Sequence, residues 1–376
     1  MTRGGCWSSL VSDLVEQVSG CLSTDADHTC IHQVCTHWRS NTRLPTAYRP
    51  WIITHRTLWS RYDGDDYSFF PLCRVERIGV GVAPASLPYC RGVPHGWLAL
   101  TDHAKFPTRL VLWEPLSNAH IPLPCLSSVT NVFLSGDPLT PSPSGWMAIA
   151  CQPYGDTGFF KTFFWRPQNA AAWSVLYEPL ADQIDSVAFH GGKLYYLDSG
   201  HDLYVYDVGT MASPRIFNMC PRMNNLCTCD RFHRFCGGFL VTCNDELLLV
   251  VLRLERGHPS FAEVYKPEWA PDGGLLPLRD RVTNLGEHSL FVGRGDTFAL
   301  SAKEFPLIKR NHIYYCGPLS RNHTGGRKLH HWAFVFDLET NALEEIPYPA
   351  ELRVDGTNWS PSSWFCPRRS YMKHLQ

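Results

Sequence analysis

The densest group of reactive side chains in this sequence runs from Cys220 through Cys227, Cys229 and His233 to Cys236, with Cys243 beyond. Thiolates and an imidazole are the donors of a tetrahedral zinc site, but such sites present their cysteines as pairs roughly two to four residues apart. Here the gaps are six, one and six residues. The stretch therefore reads as a cysteine-rich loop between strands, and no metal is expected. Asp63, Asp65 and Asp66 lack the downstream glutamate of a calcium loop. Gly79 and Gly81 lack the third glycine of a dinucleotide site, and no nucleophile elbow, P-loop or paired zinc histidines occur. No catalytic residue and no cofactor are expected: the chain reads as a non-enzyme.

Composition narrows the remaining classes. The 34 basic side chains are matched by 35 acidic ones, for a net charge of −1, so binding to nucleic acid by charge has no support. The basic tail around Arg368, Arg369 and Lys373 reads as a solvated terminus. No apolar run approaches the ~20 residues of a membrane span, and the N-terminus lacks the apolar core of a secretory signal. Fifteen cysteines, an odd number without a secretory route, read as reduced thiols, which suits the cytoplasm, the nucleus or both. An apolar share of 44% against 18% charged residues requires a folded interior, and 28 Gly, 28 Pro and many aromatics favour strands and tight turns over long helices.

Two kinds of element emerge. Near the N-terminus, Leu10, Leu14, Val18 and Leu22 recur every four residues, which predicts one apolar helix face. Gly20 breaks the pattern. Thr24 and Asp25 are cap-type residues for a second helix carrying Ile31, Val34, Cys35 and Trp38. So short a hairpin cannot bury a core alone and must lean on something else. Leu10, Asp13, Leu14, Val15 and Val18, followed by Val34, Cys35, Trp38 and Arg39, resemble the F-box, the module that docks a protein onto the Skp-type adaptor of a cullin ubiquitin ligase. Val11 stands where that family usually has proline. The resemblance implies adaptor contacts from Leu10, Leu14, Val18, Leu22, Val34 and Trp38. A hairpin that merely packs on the following domain would share the four-residue spacing.

The rest of the chain changes character. Glycine-led aromatic and β-branched runs come in pairs, with anchors at Trp97, Trp146, Leu194, Leu247 and Ile313. These are spaced 49, 48, 53 and 66 residues apart, a period near that of a kelch-like propeller with one four-stranded blade per unit. The long last interval has room for a further strand pair, Leu290–Val292 and Thr297–Leu300. Nearly continuous apolar runs suit strands covered on both faces. The expectation is an N-terminal all-α module followed by an all-β propeller of about six blades, within five to seven.

Cys90-Arg-Gly92-Val-Pro-His95-Gly96-Trp97 and Trp113-Glu-Pro115, with Asp185 to Tyr195, Phe291 to Gly293, Ser301 to Pro306 and Val335 to Glu339, are similar to the KIB-type propeller of a plant F-box family. That resemblance divides the chain into an F-box (6–45), a linker (46–62), a propeller (63–366) and a tail (367–376). It implies a substrate-recruiting subunit of a Skp–cullin–F-box ligase. Its partners would be a Skp-type adaptor and through it a cullin, plus a protein substrate of unknown identity, with neither nucleic acid nor membrane. A propeller scaffold without a ligase role, or a propeller enzyme with a helical cap, are the alternatives. The loops expected to carry substrate specificity are 101–109, 152–158, 198–202, 255–260 and 316–330.

Overall fold

The computed structural model describes residues 10–22, 50–58, 67–71, 86–115, 117–140, 145–168, 171–219, 233–255, 258–293, 295–305, 308–317, 331–348, 353–354 and 357–366, with Trp7, Pro84 and part of 27–42. The cap residues Thr24 and Asp25, and Cys220, Cys227 and Cys229, lie outside them.

Helix α1 (Ser12–Gly20) begins at the extended Val11 and carries Asp13 in its first turn, where a carboxylate favours the positive helix end. Helix α2 (Thr36–Asn41) starts at Cys35, whose Sγ accepts from the Trp38 amide at 3.4 Å. Among the described residues, everything after Pro50 is strand, turn or irregular backbone.

Strands β1 (Trp51–Leu58) and β2 (Tyr67–Pro71) form a hairpin that waits for partners from the far end of the chain. Three four-stranded sheets follow. The first holds β3 (Tyr89–Cys90), β4 (Leu98–Thr101), β5 (Leu110–Glu114) and β6 (Ala119–Leu123). The second holds β7 (Asn131–Leu134), β8 (Ala148–Pro153), β9 (Phe160–Trp165) and β10 (Ser174–Ala181). The third holds β11 (Ile184–His190), β12 (Lys193–Asp198), β13 (Asp202–Asp207) and β14 (Arg215–Asn218).

The fourth sheet has three strands, β15 (His233–Cys243), β16 (Glu246–Glu255) and β17 (His258–Tyr265). Between β15 and β16, Asn244 and Asp245 both take positive φ, the two-residue turn whose twist suits a hairpin. The fifth sheet contains β18 (His288–Gly293), β19 (Phe298–Ser301), β20 (His312–Cys316), β21 (His331–Asp337) and β22 (Leu343–Pro347), in the order β19-β18-β20-β21-β22. The hairpin expected inside the long interval is β18–β19, added to this sheet at its edge.

Strands β23 (Arg353–Val354) and β24 (Thr357–Phe365) return to the start, and the sixth sheet runs β2-β1-β24-β23. Trp51 pairs with Phe365 and Leu58 with Thr357, so the two ends of the domain are zipped together. Residues 51–58, assigned to a linker from the sequence, are therefore a full strand of the propeller. Its true start is β1.

Among the described residues the strands form six sheets, five of them continuous in sequence and one composite, within the expected five to seven. Six apolar clusters sit between neighbouring sheets and close a ring. Trp51, Ile53 and Phe365 of the composite sheet pack on Leu98, Leu100 and Trp113 of the first. On the opposite face of the same strand, Ile52 joins Trp364 against Phe291, Tyr314 and Trp332 of the fifth. This is the period-two alternation of a strand covered on both sides. First and second sheets share Ala99, Leu112, Val132 and Ala148; second and third share Ile149, Cys151, Leu194 and Tyr204. Tyr195 and Leu197 meet Leu249 and Val251, and Val250 and Val264 meet Leu290 and Phe336. The apolar runs lack clean alternation because they form the inner strands, such as β4 and β5, whose two faces are both interior.

Candidate partner-docking surface

Helical phase decides what the N-terminal module hides and what it presents. A four-residue step turns 40° past a full helical turn, so a long i+4 series drifts around the axis. Leu10 and Leu22 moreover fall outside α1. The inward pair is Val15 and Ser19, both fully buried. Val15 packs with Ile31 and Trp38, with Leu10, Leu22 and Cys35 partly buried around them. Trp38 Nε1 donates to Trp7 O at 2.8 Å, and His37 Nε2 lies 2.7 Å from Leu10 O. These two bonds pin α2 to the segment ahead of α1.

Leu14 and Val18 remain outward, 45% and 41% exposed, with Val11 at 62% and Val34 at 53%. The residues expected to touch a partner thus split. Leu14, Val18 and Val34 are open to one. Trp38, only 9% exposed, belongs to the hairpin's internal core, which Leu10 and Leu22 flank. Val11, noted in the sequence only as a departure from a pattern, adds apolar surface next to Leu14. Plotted at 100° per residue, α1 centres its apolar arc on Val11 and Val18 and puts Ser19 at the margin, so the sequence carries no signal for the inward pair Val15 and Ser19. The result is a small helical unit with a slight core and an exposed apolar side.

The propeller offers a different surface. The loops 101–109, 152–158 and 198–202 each join the second and third strands of a sheet, so antiparallel alternation gathers them at one end of the ring. Of the other two expected loops, 256–257 and 318–330 lie outside the described residues. Phe106, 73% exposed, stands in the β4–β5 loop and stacks on His103 at 6.1 Å. Tyr154 and Phe159 are exposed in the β8–β9 loop. The β4–β5 loop is braced by Asp102, which accepts from the amides of Thr108 (2.9 Å) and Arg109 (3.1 Å). Its bond from the Thr108 hydroxyl, chiefly, holds that carboxyl below the ordinary range.

At the β12–β13 turn, burial drives Asp198 up to about 6, aided by the nearby Asp202 and Asp182 carboxylates and opposed by the Asp202 amide at 2.8 Å. Among the described residues no three His, Cys, Asp or Glu side chains are placed to hold a metal. Cys243, the last thiol of the cysteine-rich stretch, is buried in the apolar layer between the fourth and fifth sheets. Burial there pushes it up to about 11, the reverse of what a metal-binding thiolate needs. Among the described residues no helix is long and apolar enough to cross a membrane.

With this geometry established, residues 69–337 match the family model described as KIB1-4 beta-propeller. The chain is similar to F-box protein At2g05970 of Arabidopsis thaliana, 30% identical over 127 residues, 34% of this chain and 30% of that protein. The chain thus spans about a third of that relative's length. Arabidopsis thaliana At4g17565, which also carries F-box in its name, is 22% identical over 390 residues, covering 96% of this chain and 94% of its own. Among solved structures, the Swd1 β-propeller domain of Myceliophteria thermophila aligns with 81% of this chain and 88% of its own, at 10% identity and TM-score 0.38. The propeller domain of the Trilobed protease from Pyrococcus furiosus covers 70% of this chain and 73% of its own, at 11% identity and TM-score 0.33.

Proposed function

This chain belongs to the KIB1-4 β-propeller family, and on that premise we propose that it is the substrate-recruiting F-box subunit of a Skp–cullin–F-box ubiquitin ligase. The observation that carries the proposal is the apolar side of the N-terminal module: Val11, Leu14, Val18 and Val34 lie open on a unit whose own core is a handful of residues. A free surface of this kind on so small a module calls for a partner. The F-box names of the two relatives support reading that partner as a Skp-type adaptor, which would bridge to a cullin. The propeller's loop end then holds a protein substrate.

The proposed mechanism is proximity. The chain makes and breaks no bond. Tethering the substrate to the ligase raises the effective concentration of its lysines at the charged conjugating enzyme. Reduced thiols and action in the cytoplasm or nucleus belong to the same proposal.

The test uses the full chain carrying Leu14→Asp and Val18→Asp. Because both side chains are exposed, the fold should survive. Capture of a purified Skp-type adaptor, and through it a cullin, should fall at least ~30-fold, the cost of losing interface anchors worth about 2 kcal/mol or more. Undiminished capture by the folded double variant would overturn the docking surface. No capture by the wild-type chain would leave the propeller as a scaffold outside the ligase.

A further inference from the structure

Hydrogen bonds tie sheets that are neighbours in the ring. The Val132 amide donates to Arg91 O at 2.8 Å, joining second to first. The Leu240 amide donates to Ser186 Oγ at 2.9 Å, joining fourth to third, and Trp364 Nε1 donates to Val292 O at 3.0 Å, joining the composite sheet to the fifth. The β18–β19 turn breaks this nearest-neighbour rule. Asp296 Oδ2 accepts from the amide of His95 at 2.8 Å. His95 lies just before β4 in the first sheet, and the composite sheet intervenes between first and fifth. His95 Nε2 continues the link, 3.1 Å from Leu134 O in the second sheet. The next residue, Thr297, gives its hydroxyl to Leu240 O in the fourth sheet. Gly295, at φ 103°, stands so close to the composite sheet that an added Cβ would lie 3.0 Å from Ser363 Oγ.

Three consecutive residues thus meet the first, fourth and composite sheets from a hairpin of the fifth. A turn within reach of sheets on both sides, and of one beyond, has to lie across the central opening. We infer that the β18–β19 hairpin is a plug: it fills the axis of the ring and clamps non-adjacent sheets together, a second closure separate from the β1–β24 zipper. The sequence supplies its parts. The hairpin is the insertion that stretches the last anchor interval to 66 residues, and β19 occupies the edge of the fifth sheet. Gly295 permits the backbone angle the tip requires. With its axis filled by its own chain, the ring meets partners at its loop ends.

The experiment is amide hydrogen exchange on the full chain carrying Asp296→Ala with Thr297→Val. Exchange in 91–97 and in β15 around Leu240 should accelerate about tenfold or more through local opening, while the β1–β24 pairing stays protected. Asp296→Asn, which keeps an acceptor oxygen, should retain protection in 91–97. Unchanged exchange in 91–97 of the folded double variant would overturn the plug. Equal loss in β1 and β24 would overturn its independence from the zipper. Should the double variant fail to fold, Gly295→Ala supplies the same reading, because its Cβ crowds Ser363 and displaces the tip.

Discussion

The two ends of this protein bury their apolar residues on different terms. In the propeller the inner strands of each blade are covered by the next: Trp51, Trp97 and Trp364 are wholly removed from solvent, and the ring closes through the pairing of Trp51 with Phe365. Among the described residues of the helical module, Val15, Ile31 and Trp38 make up the buried core, while Leu14, Val18 and Val34 stay outside. Apolar surface is worth roughly 25 cal/mol per Å² when covered. The propeller collects that return from its own chain; the module leaves part of it to a partner. Stability should therefore be decided in the ring, and binding at the helices.

The sharpest blow to this contrast falls on Trp364. It packs edge-on against Phe291 at 5.2 Å and donates to Val292 O, at the seam where the ring closes. Trp364→Ala should cost about 3–5 kcal/mol, read from the midpoint of urea unfolding. A loss under about 1 kcal/mol would mean that the seam contributes little. Next comes the ion pair of Arg253 and Glu263, 3.0 Å apart with side chains 1% and 9% exposed. Glu263→Gln removes the carboxylate charge that faces the buried guanidinium and should cost about 3 kcal/mol. Replacing the pair by Met and Leu should recover most of it.

A smaller effect is expected at Asp198, whose folded-state carboxyl is raised to about 6. The unfolded carboxyl titrates near its ordinary value of 3.8, so between these values the folded chain binds more protons. This contribution to stability therefore falls as pH rises from about 4 to 6. Asp198→Asn should flatten that slope and stabilise the ring by about 1 kcal/mol at pH 7. Denaturation at several pH values checks it; an unchanged slope would show that Asp198 is not the group responsible. Smallest of all, Leu14→Asp with Val18→Asp should move overall stability by about 0.5 kcal/mol or less. A larger loss would show that these side chains support the fold.

The sequence was most legible where contacts are local. The pairs β4–β5, β8–β9, β12–β13 and β16–β17 announce themselves because both members are apolar and close in sequence, and β20–β21 because both runs are strongly apolar and aromatic. The β18–β19 hairpin could be placed by the stretched interval before Ile313. β1 falls in the stretch that Pro45 and Pro50 make read as a linker, and Thr54, His55, Arg56 and Thr57 dilute its apolar start. Its partner β24 lies about three hundred residues away, and pairing at that distance leaves no local mark. β14, mostly exposed along Arg215–Asn218, carried too weak a pattern to be seen. In the module, spacing located the helix but not its inward side, since residue type alone does not separate Leu14, which faces out, from Val15, which faces in. The axial role of Asp296 was invisible for a further reason: a polar turn residue gives no hint of which distant amide it will meet.

The contrast between the two regions comes to one measurement. A purified Skp-type adaptor is titrated into the full-length chain while amide exchange is followed segment by segment. Docking through the open helical side predicts that protection rises in residues 10–22 and 34–41 and stays constant throughout the six sheets. Exchange in α1 that does not respond to saturating adaptor, or protection that appears in the blades in its place, would contradict the account.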